Sequence, residues 1–225
     1  MILRHFLALK LTASLALHAA SPGPTVVGVV VEAYRGHVNS SIVSDGATIY
    51  DGDRLSTEPG GALRLRGEAA TMDLAEDSIA LVGRAESGVP STEAELVRGT
   101  LTFSSGHAGN LEIVALEARV SPSQEARTVA QVRLTGPKEL CIYVRRGSLQ
   151  FFYRGEAETI GEGEAYRVIL DPPEDELPKK KAAKAAHVRK AFLFVAIGGA
   201  AVGGGIKAYE DHENHRHKHE SEDRP

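Results

Sequence analysis

Tryptophan is absent, cysteine occurs once, and Phe, Tyr and Trp together make up only 5% of the chain. The single Cys141 excludes an internal disulfide framework, a cysteine zinc site and a CxxC redox pair. Its setting, Leu140-Cys141-Ile142-Tyr143, is that of a small apolar residue in a strand. No G-x-S-x-G, H-E-x-x-H, phosphate-binding loop or dinucleotide fingerprint occurs. The stretch from Val26 to Leu170 holds two histidines, His37 and His107, each after a glycine in a loop-like setting with no placed acid or nucleophile. An enzyme is therefore not expected, and no cofactor is implied. A formal charge of −4 argues against a nucleic-acid partner bound by whole-chain electrostatics.

Glycine is plentiful by contrast, with Gly 23 times in the sequence. That abundance points to many tight turns. Hydrophobic residues make up 42% of the chain. Together with the length, this fits one globular domain of about 150 residues with terminal appendages. Residues 1–20 have Arg4 and Lys10, an apolar stretch from Leu11 to Leu17, and small residues at Ala19 and Ala20, followed by Ser21, the layout of a secretory signal peptide. An uncleaved anchor or a mere apolar leader is the alternative.

From Val26 to Leu170 the pattern is β. Ala62-Leu63-Arg64-Leu65-Arg66 alternates strictly, and similar short runs recur between Gly, Asp, Asn, Ser and Pro. Two segments echo one another: Arg66-Gly67-Glu68-Ala69 and Arg154-Gly155-Glu156-Ala157. A second echo links the stretch from Leu96 to Phe103, with Arg98-Gly99-Thr100-Leu101, to that from Tyr143 to Phe151, with Arg146-Gly147-Ser148-Leu149. Repeated strand-turn-strand units fit either a twisted, solenoid-like β architecture or a sandwich of hairpins.

A charged linker is expected over 171–190, acidic at Glu174, Asp175 and Glu176 and then basic from Lys179 to Lys190, with helix formers over 182–190. The uncharged run at 191–206, bracketed by Lys190 and Lys207, predicts a transmembrane helix over 191–207. At a helical rise of about 1.5 Å per residue the run covers roughly 24 Å. Gly199 and Gly203 form a G-x-x-x-G there, compatible with helix-mediated self-association. Residues 208–225 read as a disordered, His-rich tail, in which His212, His215, His217 and His219 are candidate metal ligands.

The stretch from Ala47 to Leu65 resembles the signature of the FecR family: Gly52-Asp53, then Leu55, Thr57, the Gly60-Gly61 turn and the alternating strand from Ala62 to Leu65. Val144-Arg145-Arg146-Gly147-Ser148-Leu149 and Ile160-Gly161-Glu162-Gly163-Glu164-Ala165 resemble its closing Gly-centred hairpin and Gly-Glu turn. The resemblance implies an all-β extracytoplasmic domain used in envelope signalling or as a binding scaffold. Only a few residues precede the first apolar segment, so the family's cytoplasmic anti-sigma domain and sigma-factor regulation are not expected.

Read physically, Asp51, Gly52 and Asp53 are turn residues and Thr57 bonds the turn; a cation held by Asp51, Asp53 and Glu58 is the alternative. The expected product is a non-enzymatic, membrane-tethered FecR-like module with a protein partner in the cell envelope and its β-domain in the periplasm. Two alternatives stand beside it, a structural binder of envelope polysaccharide or another anionic polymer, and a cytoplasmic domain with a C-terminal anchor. Export with a C-terminal helix leaves the basic linker outside, against the positive-inside rule.

Overall fold

The computed structural model describes residues 23–68, 70–85, 91–106, 111–123, 127–172, 186–188 and 191–197. The expected all-β class is what these residues form: seventeen strands joined into one sheet that curls into a half-barrel. The sequence accounts for the curl. Two long strands, β1 (Val26–Val38) and β4 (Asp53–Gly67), pair along most of their length and bend together at one corner. There residues 58–61 stand opposite the single Arg35, between the pairs Tyr34↔Ala62 and Gly36↔Thr57. Such a bulge bends the strand that carries it. Gly61 lies in the bend because a Cβ would come within 2.9 Å of the carbonyl oxygens of Arg35 and Glu58.

Past the corner the sheet has two arms. One continues from the C-terminal half of β4 through β5 (Ala70–Leu74), β8 (Thr100–Ser105), β11 (Thr128–Gly136), β12 (Glu139–Arg146), β15 (Ala165–Leu170), β17 (Phe192–Ala196) and β16 (Ala186–Val188). The other runs from the N-terminal half of β4 through β6 (Ile79–Arg84), β7 (Thr92–Arg98), β9 (Leu111–Ala115), β10 (Ala118–Pro122), β13 (Leu149–Tyr153) and β14 (Glu156–Ile160). Among the described residues every pairing is antiparallel except that of β7 with β9. The chain steps between the arms, commonly one hairpin at a time, so each step extends both arms and their shared core.

The core follows from alternation. In β4, Leu55, Leu63 and Leu65 are buried while Arg54, Ala62 and Arg66 are exposed, as a strand with one covered face requires. Met72, Phe103, Val132, Ile142 and Val168 continue that layer on one arm, and Val82, Leu96, Ile113, Val120 and Phe151 on the other. Phe151 closes the far end against the opposite arm, with ring centroids 5.0 Å from Phe192 and 5.2 Å from Phe194, both edge-on.

These phenylalanines correct the expectation for the C-terminal apolar run. Its first part is strand β17, paired with β15 from Tyr166↔Ala196 to Leu170↔Phe192, and Phe192, Leu193 and Phe194 are buried. A transmembrane helix over 191–207 therefore does not begin at Ala191. The physical reason is that Phe, Leu and Val pack well on a pleated surface, and β15 presents both a free edge and an apolar floor. The helix expected over 182–190 is likewise interrupted, because Ala186–Val188 is strand β16 on the outer side of β17. Among the described residues no helix is long and apolar enough to cross a membrane. The signal peptide at 1–20, the rest of the apolar run beyond 197 and the tail at 208–225 lie outside the described residues.

Candidate functional site

Most polar residues singled out in the sequence are occupied in building the fold. Asp53 accepts from the backbone N–H of Tyr50 through Oδ2 at 2.8 Å and from Asn39 Nδ2 through Oδ1 at 2.6 Å, closing the turn that Gly52 makes at φ +84°. Asp51 Oδ1 accepts from the N–H of Arg84, and Glu58 pairs with Arg35 at 3.1 Å and with His37 Nε2 at 3.5 Å. The three carboxylates thus serve separate partners, and among the described residues no group of three or more His, Cys, Asp or Glu could hold a metal ion. His107 and the candidate ligands His212, His215, His217 and His219 lie outside the described residues.

Thr57 is the centre of a buried corner. Its Oγ1 donates to the carbonyl of Ala75 and accepts the N–H of Ser78 at 3.0 Å. Ser78 Oγ in turn accepts the N–H of Thr100 at 2.9 Å, beside Gly99 at φ +87°. The second echo of the sequence repeats this device: Thr128 Oγ1 donates to the carbonyl of Ser148, beside Gly147 at φ +77°. Both glycines are points where the chain crosses from one arm to the other, and both lie against a buried hydroxyl-bearing residue.

Ionisation follows local packing. Burial pushes the hydroxyls of Tyr153 and Tyr166 above the usual tyrosine range; for Tyr153 the bond to Asp171 adds to this, and for Tyr166 the charge of Glu164 does. Burial also raises the Cys141 thiol, so it is not held as a reactive thiolate. Glu139 is lowered by its bond to Arg167.

What remains for recognition is the finish of the sheet. At the β1 end the edge is capped by the segment from Asn39 to Tyr50: short strands β2 (Ser41–Ile42) and β3 (Thr48–Tyr50) pair with β1. Between them the N–H of Val30 donates to the carbonyl of Ala47, and that of Ala33 to the carboxylate of Asp45 at 2.8 Å. The two arms each have a last strand: among the described residues β16 pairs with β17 alone and β14 with β13 alone. Tyr153 and Glu156 close the two-residue turn Arg154-Gly155, both at positive φ, so the ladder directs the main-chain groups of Glu156, Glu158 and Ile160 towards β13. Those of Ala157 and Thr159 face outward from the sheet edge.

The side chains of this edge are sorted by face. Glu156 and Glu158 lie on the core side opposite Tyr153 and Phe151, while Ala157 and Thr159 are exposed on the outer side. Beside Ala157, Phe152 of β13 is left 45% exposed, because alanine is too small to cover it. Glu156 Oε2 is buried and has no hydrogen-bond partner among the described residues. Sequence reading did not single out this edge; the alternation Glu156-Ala157-Glu158-Thr159 after a Gly turn was its only local signal.

No protein-family model matches the chain, and no curated protein is matched by it.

Proposed function

We propose that the chain is a non-enzymatic, FecR-like β-domain of the cell envelope that acts as a signalling, adaptor or scaffold module by binding a protein partner. The observation that carries this reading is the unequal finish of the sheet, capped along β1 and open along β14 among the described residues. Soluble proteins cover or charge long edges to prevent pairing with other chains, and an edge left open next to an exposed phenylalanine is suited to a partner. The hairpins that step between arms are compatible with the solenoid-like form of the FecR resemblance. Of the signature residues, Gly52 and Asp53 make the turn into β4, and Thr57 and Gly61 flank the bend that such a form needs.

The envelope location rests on the N-terminal segment. The run at 191–207 does not enter the proposal as a spanning helix, since Phe192–Ala196 belongs to the sheet. The conflict between the basic linker and the positive-inside rule then loses its basis. The alternative of an anionic-polymer binder is less well supported, because the open edge carries glutamates.

The test is protease digestion of spheroplasts producing the full chain with an epitope in the β-domain, beside an intact cytoplasmic marker. Loss of the epitope is expected. Its survival, with loss only after lysis, contradicts the envelope location.

A further inference from the structure

We infer that the open edge of β14 receives an extended, basic segment of a partner protein, in which Lys or Arg alternates with apolar residues. The inference rests on the protein-binding reading above and names the chemistry of the partner at that site. Three observations converge on it. The main-chain groups of Ala157 and Thr159 face outward in strand geometry, which is the template for adding one more strand. Next, residues 156–164 carry four glutamates and no basic residue. Two of the four are engaged in turns: Glu162 accepts from the N–H of Gly147, and Glu164 accepts from Gly161 N–H and Tyr166 O–H. Glu156 and Glu158 lie on the edge strand itself, two residues apart and on one face, Glu158 already making an interaction of its own within the fold. Third, the opposite face of that strand carries only the small side chains of Ala157 and Thr159, with Phe152 exposed beside Ala157.

An added strand shares the period of two, so its alternate side chains meet these two faces in turn. Those on the inner side come alongside Glu156 and Glu158, where a cation supplies the donor that buried Glu156 Oε2 lacks among the described residues. Those on the outer side extend the apolar strip of Ala157 and Phe152. A second copy of the chain adding β14 to β14 is disfavoured, since it sets glutamates against glutamates.

The test uses the full chain and a fluorescent octapeptide alternating Lys and Val, with two comparison peptides: alternating Glu and Val, and a block of four Lys followed by four Val. Anisotropy is expected to show saturable binding of the Lys-Val peptide, at least about tenfold tighter than either comparison peptide. Glu156→Gln with Glu158→Gln is expected to weaken it by about tenfold. Thr159→Pro, which removes an outward N–H and, towards β13, only the side-chain bond to Gln150 while leaving the main-chain ladder in place, is expected to weaken it by about fivefold, whereas Thr159→Val, which removes that side-chain bond alone, is expected to leave it unchanged. Equal binding of the block peptide, or unchanged affinity in Thr159→Pro, overturns strand addition. Failure of the full chain to bind the Lys-Val peptide overturns the inference altogether, as it would if the edge were filled by a second copy or by the chain's own lysines from 179 to 184. None of these outcomes depends on where the protein resides, so they are separable from the spheroplast result.

Discussion

Gly99, at φ +87°, and Gly155, at φ +81°, share a left-handed backbone yet answer different demands. A Cβ on Gly99 would fall 2.3 Å from Ser78 Oγ and 2.6 Å from Ser78 Cα, inside a corner whose hydroxyl is already bonded to Thr100. A Cβ on Gly155 would meet nothing within 4 Å. Gly155→Ala should therefore cost only the left-handed backbone strain, about 1 kcal/mol, and Gly99→Ala about 2–4 kcal/mol, since overpacking of the corner adds to that strain. Urea unfolding of the two variants checks the difference, and equal losses would show that the Gly99 corner relaxes freely. Much at this scale was legible beforehand: Gly52, Asp53 and Thr57 are turn and corner residues as their types suggested. The partners were not legible. That Thr57 bonds Ala75 and Ser78, or that Asp51 caps Arg84, depends on which strands lie side by side, and this is decided far away in the chain.

At the scale of elements, strict alternation at Ala62-Leu63-Arg64-Leu65 and short apolar runs such as Leu140-Cys141-Ile142 located strands well, the first because period two survives wherever one face is buried. The difference from expectation is at 192–196, where a short apolar run adjoins a glycine-rich one and periodicity cannot separate a buried strand from a helix. Phe192, Leu193, Phe194 and Val195 are strand formers of ordinary strand length, and β15 with an unfilled edge is what makes them a strand. Phe194 contacts Phe151, Phe192 and Tyr166 edge-on. Phe194→Ala should lower the unfolding free energy of the full chain by about 3–5 kcal/mol. An unchanged urea midpoint would mean that β17 is not part of the folded core.

For the whole molecule, the sequence pointed to an all-β domain but left open how its hairpins combine. The arms grow through pairings between distant strands, such as β5 with β8 and β10 with β13, and through the parallel pair of β7 with β9. No local pattern encodes these, since a strand's alternation says which face is buried and not which neighbour it takes. The same limit hid the open edge, because being last in an arm is a property of the assembled sheet. The proposed binding surface lies at an arm end: residues within the arms spend their main-chain bonds on neighbours, whereas among the described residues β14 pairs with β13 alone.

Residue-resolved amide hydrogen exchange of the full chain by NMR tests this most directly. The N–H groups of Glu156, Glu158 and Ile160, and those of Val30 and Ala33 on the capped edge, should exchange slowly, with Ala157 and Thr159 far faster. Exchange at Ala157 and Thr159 as slow as at Glu158 would show the edge already paired, and would contradict its role as the binding surface.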